Sequence, residues 1–219
     1  MKFSDNVVYC DNHILVVNKP AGMSTQEHRK GEENLEALAK EWVKNRYSKP
    51  GAVFLHPVHR LDKVVSGLVL FARTSKALSR LQKMMREKKI EKRYVALVEG
   101  IPKEKEKNLF NFIEHGHLRA KIGEKGKEAE LHYRTFKTLR DKALLEVTLI
   151  TGRYHQIRAQ LAFMGHPIIG DEKYGSRVPF KKGGIALCHT EMSLMHPVTE
   201  EFLTFHLPKQ DILKMNDLV

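Results

Sequence analysis

A chain of 219 residues, 42% of them hydrophobic, is long enough to bury a core, and its two cysteines, Cys10 and Cys188, lack CxxC or metal-like spacing. That usage fits inert thiols in a reducing compartment better than a disulfide, and no apolar run approaches a signal peptide or a membrane span, so a soluble, cytoplasmic protein is expected. With 38 Lys and Arg against 26 Asp and Glu, the formal charge is +12, a field that attracts polyanions, nucleic acid first among them.

In chain order, "VVYCDNHILVVNKPAGM" reads as a short strand, an Asp-Asn turn and a second strand from Ile14 to Asn18, halted by Lys19-Pro20-Ala21-Gly22. "ENLEALAKEWVKNRY" sets Leu35, Leu38, Ala39 and Trp42 at the spacing of one buried helical face, and "KPG" at 49–51 breaks the chain. Ser66 to Arg73 has the unbroken apolar character of a buried strand, and Thr74 or Ser75 can cap the helix that follows. That helix, "SKALSRLQKMMREKK", turns Leu78, Leu81, Met84 and Met85 inward and leaves Lys83, Arg86, Lys88 and Lys89 on a cationic outer face. "KRYVALVEG" is a strand ended by Gly100, whereas residues 102–127, charged and weakly periodic, read as a loop or mobile hairpin. "ELHYRTFKTL" and "ALLEVTLITG" are two more strands, and "RYHQIRAQLAFMG" is a helix with Gly165 at its C-terminal cap position. "IALCHTEMSLMHPVT" and "EEFLTFHLP" are strand-like. No repeat or linker interrupts the chain, so one unit over residues 1–219 is expected, of the α+β class, with a mainly antiparallel mixed sheet and flanking helices.

Two stretches hold chemistry. In "HPVHRLDKVVSGLVLFAR", residues 56–73, His56, His59 and Asp62 stand three apart, which on a helix would suit zinc. Pro57 and the adjoining strand point to a loop instead, so no metal is expected and the histidines are read as hydrogen-bonding to backbone or phosphate. A loop aspartate is commonly a turn residue or the partner of a neighbouring arginine. Asp62, however, is flanked by Arg60 and Lys63 and leads through Ser66 and Gly67 into a buried strand, where a catalytic group is held firmly. In "TGRYHQIRAQLAFMGHPIIGDEKYG", residues 151–175, Arg153, His155, Gln156 and Arg158 cluster at a strand-to-helix turn, with donors for a phosphate or a carboxylate. Arg158 sits among Ile157, Ala159, Leu161 and Ala162, and an arginine in such surroundings usually has a carboxylate partner.

Together, "HRLDKVVSGLVLFA" and "GRYHQIRAQLAFMGHPIIGDEKYG" resemble the signature segments of the RluA-type pseudouridine synthases, enzymes that isomerise uridine in ribosomal or transfer RNA. "ILVVNKPAGM", "EKRYVALVEG", "GKEAELHYRTF" and "ALCHTEMSLMHPVT" resemble the family's other conserved segments in the family's order, over about residues 7 to 208. The chain departs from the pattern at Val65, where the family usually has threonine, and at Tyr154 and Gln160. No separate S4 RNA-binding domain is expected.

The resemblance implies an isomerase without metal or organic cofactor, acting on RNA as a monomer. Breaking the bond from ribose C1′ to uracil N1 and joining C5 in its place suits a carboxylate that attacks C1′ or removes the C2′ proton. By similarity that group is Asp62. Bound RNA would desolvate it and disfavour its charged form, so a cation must oppose this, and the family's cation corresponds to Arg158. Tyr94 matches the tyrosine that lies against the target base and takes part in the final proton transfer; read from the strand alone, it is an ordinary core aromatic. Leu187 matches an apolar wall of the uracil pocket. Arg60 matches the arginine that intrudes into RNA when the nucleotide is flipped out. Phosphate contacts are expected from Lys83, Arg86, Lys88, Lys89, Lys92 and Arg93, and RNA contacts from Arg153, His155 and Gln156. Two other classes compete: a glycosidase-like hydrolase, for which no second catalytic carboxylate stands out, and a catalytically inactive RNA-binding or ribosome-assembly protein.

Overall fold

β-Branched and aliphatic runs too apolar to face water on either side dictate the centre of the fold. In the computed structural model, which describes residues 3–27, 30–180 and 183–207, Ile14–Lys19 (β2) is buried along nearly its whole length. Its neighbours explain why. Val7–Cys10 (β1) pairs with it antiparallel on one side, and Ser66–Ala72 (β4) pairs with it antiparallel on the other, Val16 standing opposite Leu70. The described chain divides into two compact units, the first running to Ile90 and resuming over Glu191–Leu207, the second spanning Glu91–Thr190.

In the first unit, Leu35–Arg46 (α1) starts at Asn34, whose side chain accepts the Ala37 N–H. Its buried apolar face is Leu35, Ala39 and Val43 at i, i+4 and i+8; Leu38 and Trp42, expected inside, are only half-buried. The two-residue strand His56–Pro57 (β3) pairs with β4. Thr74 caps Ser75–Arg86 (α2) by accepting the Ala77 N–H at 3.1 Å, an arrangement worth roughly 1 kcal/mol. Ala77 and Leu81 are the residues of α2 that are fully buried, Leu78, Met84 and Met85 lie at the margin, and Lys83, Arg86, Lys88 and Lys89 are exposed.

The second unit is built on antiparallel pairs. Glu91–Glu99 (β5) pairs with Lys142–Leu149 (β9), β9 with Lys127–Leu139 (β8), β8 with Glu106–His115 (β6), and β6 with Ala120–Gly123 (β7), in the order β5-β9-β8-β6-β7. Of the two readings of residues 102–127, loop or hairpin, the pairing of β6 with β7 shows the hairpin. The alternation is faint in sequence because only Leu109 and Ile113 of β6 are buried. Gln156–Phe163 (α3) lies on β6 to β8 through Ala159, in a cluster with Ile113, Ala120 and Ala129. Gln160 extends this contact, its side-chain amide donating to the Leu109 and Ala129 carbonyls and to Asn111. Leu187–Met195 (β10) begins in the second unit and ends in the first, where it pairs antiparallel with Phe202–His206 (β11). Pro208, the last residue of the predicted "EEFLTFHLP" strand, lies outside the described residues. The α+β class with a mainly antiparallel sheet is as the sequence implied, and no helix among the described residues is long and apolar enough to cross a membrane.

Candidate active site

Asp62 lies on the loop between β3 and β4, half-buried between the buried residues Leu61 and Val65. The backbone on both sides of it is fixed. On one flank, the Thr25 hydroxyl accepts the Leu61 N–H at 3.2 Å and donates to the Leu61 carbonyl at 3.1 Å. On the other, the Lys63 carbonyl accepts the Gly22 N–H at 2.8 Å and the Lys19 ammonium at 3.3 Å. Lys19 is fully buried, and its ammonium also donates to the carbonyls of Pro20 and Met23 at 3.0 and 2.8 Å. The "NKPAG" turn thus folds against the "RLDK" loop around one solvated-by-protein cation. The Val65 N–H donates to the Asp62 carbonyl at 3.0 Å, closing a turn that presents the carboxylate at the entrance to β4. His59 Nε2 accepts the Leu70 N–H, so this imidazole ties the loop to the strand. Arg60 is exposed.

In the second unit, Arg158 projects from the first turn of α3 with 5% of its side chain exposed. Its Nε donates to Asp171 Oδ2 at 2.6 Å and its Nη2 to Asp171 Oδ1 at 2.8 Å, and the guanidinium carbon lies 5.1 Å from the centre of the Tyr174 ring. Asp171, 13 residues on in "GDEKYG", is therefore a carboxylate partner of the kind that the apolar surroundings of Arg158 called for. A guanidinium has five N–H donors, and this pair uses two. Burial, foremost, pushes the Tyr174 hydroxyl up to about 12. That hydroxyl accepts the Ala120 N–H at 2.9 Å and lies 3.0 Å from His155 Nδ1.

The loop carrying Asp171 is itself clamped. Glu99 at the end of β5 receives on one carboxylate oxygen the Ser176 hydroxyl at 2.6 Å and the backbone N–H groups of Arg177 and Val178 at 2.7 and 3.1 Å. Gly170, at φ +83°, makes the turn into Asp171, where a Cβ would stand 2.4 Å from Phe180 Cβ. Tyr94 is buried on β5 with its ring stacked on His189 of β10, centroids 4.5 Å apart. Leu187 is buried at the start of β10.

The remaining predicted residues separate by exposure. Arg93 and Arg153 are exposed, Arg153 donating to the Glu128 carbonyl. Gln156 is buried and holds the turn before α3, accepting from the Thr151 hydroxyl and the Arg153 N–H and donating to the Glu130 carbonyl. His155, in a left-handed conformation at φ 52°, is buried beneath Tyr154, their rings 3.8 Å apart. Lys92 is buried. Thr25, Lys19, Asp171, Tyr174 and His189 were missed in sequence; only the offset of "GDEKYG" from "HQIR" carried a signal for any of them. Among the described residues no group of three potential ligands gathers around a metal position.

A family model described as RNA pseudouridylate synthase matches residues 13–163. The chain is 33% identical over 207 residues to "Ribosomal large subunit pseudouridine synthase C" of Buchnera aphidicola, covering 89% of this chain and 64% of the relative. It is 33% identical over 216 residues to the protein of the same name in Vibrio cholerae, covering 92% and 65%. The chain thus spans about 65% of the length of these curated relatives. A solved structure, "Human RNA Pseudouridylate Synthase Domain Containing 4", shares the fold with a TM-score of 0.80 at 21% identity, covering 97% of this chain and 93% of its own. The chain belongs to the RNA pseudouridylate synthase family, as its RluA-type signature segments implied.

Proposed function

We propose that this protein is an RNA pseudouridine synthase, converting a uridine to pseudouridine in RNA, with ribosomal RNA the first substrate to test because of the names its relatives carry. The observation that carries the reading is the Asp62 loop. The Asp62 carboxylate sits at the mouth of a buried strand with the backbone before it pinned by Thr25 and the backbone after it by Lys19 and Gly22. Such fixation holds an attacking group near its productive geometry.

In this reading Asp62 acts on the ribose of a flipped-out uridine, either as a nucleophile at C1′ or as a base at C2′. Arg158, kept in one orientation by Asp171, is the cation that favours the charged carboxylate. Tyr94 supports the base and takes part in removing the C5 proton, while Leu187 forms part of an apolar wall. Arg60 enters the RNA where the uridine has left the stack. Exposed Arg93 and Arg153 and the cationic face of α2 attract phosphates, so binding should weaken steeply with salt.

The test is a map of pseudouridine across cellular RNA from cells with the protein, without it, and with only the Asp62→Ala form. Loss of one modified position in the last two samples supports the reading and names the substrate. An unchanged map replaces it with the inactive RNA-binding protein.

A further inference from the structure

Among the described residues, the buried Lys and Arg side chains have partners, with one exception. Lys19 is held by three carbonyls, and Arg158 by a carboxylate. Lys92, only 6% exposed, has no hydrogen bond or ion pair to any of the described residues. Removal from water, with nothing to offset it, pulls its pKa below the ordinary lysine value. The stem of Lys92 is buried but its ammonium is not fully enclosed, and a poorly hydrated cation that can still be reached invites a ligand.

That place is well defined. Lys92 precedes Tyr94 by two positions on β5, and the alternation of the strand puts both on the same buried face. Its ammonium lies under Gly152, in the exposed turn that leads to α3: a Cβ built on Gly152 would meet Lys92 Nζ at 3.9 Å and nothing else within 4 Å. The absence of a side chain at Gly152 leaves room beside the cation. Arg153 follows, exposed.

We propose that Lys92 is a phosphate-binding residue, its ammonium receiving a phosphodiester oxygen of the substrate RNA beside the Gly152 backbone. The identity of the anion's carrier rests on the pseudouridine synthase reading. The chemistry fits: an ammonium is a compact point charge with three donors, suited to a phosphate oxygen that approaches closely, and an anion there supplies the counter-charge that the fold omits.

The test compares wild type with Lys92→Met and Gly152→Leu for binding to an in vitro transcript of large-subunit ribosomal RNA over a range of salt, alongside urea unfolding of each protein. Lys92→Met removes the desolvated charge and keeps the volume, so its unfolding midpoint stays level or rises. RNA affinity falls about tenfold or more, and the slope of log K against log salt becomes shallower by about 0.7 to 0.9, one phosphate's worth. Gly152→Leu leaves the charge and blocks the approach, so it lowers affinity in the same way, and it serves alone if the Lys92 variant does not fold. Unchanged affinity and slope in both folded variants, or in Gly152→Leu when it alone folds, overturn the site. Pseudouridine in the wild-type reaction is scored separately. A changed slope without product supports the site while removing the enzymatic reading; product with an unchanged slope removes the site and leaves the enzyme.

Discussion

Arg158 and Asp171 form two nearly parallel charge-assisted hydrogen bonds, at 2.6 and 2.8 Å, with 5% and 2% of their side chains exposed. Breaking such a pair from one side strands a charge in the interior, and the typical loss is about 3–5 kcal/mol. Asp171→Ala is predicted to lose an amount in that range in urea unfolding. Arg158→Lys keeps the charge but loses the two-pronged geometry. Its turnover is predicted to fall at least about tenfold, and near-normal turnover would show that the fork does not matter.

Thr25 carries a comparable load for the other unit, because one hydroxyl satisfies both the N–H and the carbonyl of Leu61, the residue before Asp62. Thr25→Val is nearly isosteric but leaves both backbone groups unpaired, at about 1–3 kcal/mol for each. The expected result is a lower unfolding midpoint together with a reduced kcat, both largely restored in Thr25→Ser. A kcat that is indifferent to Thr25→Val would mean that the Asp62 loop needs no such anchor.

How legible this site was depended on whether the information was local. The β1–β2 hairpin, the Thr74 cap and the Gly165 stop follow from residues within a few positions of one another, and all three appear as read. Residues 102–127 left loop and hairpin both open because the outer face of β6 mixes charges with exposed Phe110 and Phe112, which blurs the two-residue period. In α1 the face rotated from Trp42 to Val43, since Trp42 reaches sideways toward Phe3, 6.3 Å away, a contact no helical period encodes. The need of Arg158 for a carboxylate was readable from its apolar neighbours. That Asp171 meets it depends on the Glu99 clamp and the left-handed turn at Gly170, both of which are tertiary.

Tyr94 distinguishes packing from chemistry. Its ring is stacked on His189 at a 16° tilt, and phenylalanine preserves that face. Tyr94→Phe is predicted to bind RNA with wild-type affinity and to form little pseudouridine. Single-turnover product analysis checks this. Normal product formation would reduce Tyr94 to a wall of the pocket.

Glu99 provides a pH-dependent check on the scaffold behind Arg158. Burial pushes its carboxyl up, but the Ser176 hydroxyl and the N–H groups of Val178 and Arg177 outweigh that and hold it below the usual glutamate value. With the folded value depressed below the unfolded one near 4.3, its stabilisation is fully present above about pH 4.3 and is lost as pH falls through the lower folded value. Charge-assisted bonds are roughly twice as strong as neutral ones, so Glu99→Gln should be less stable than wild type at pH 7 and keep that deficit down to about pH 5. Below about pH 4.3 the deficit should shrink as the wild-type carboxyl takes up its proton. Urea unfolding of both proteins between about pH 7 and pH 3 measures this difference directly, cancelling the acid effects they share. A deficit that stayed constant through the acid range would mean that the Asp171 loop is held by shape rather than by the Glu99 charge.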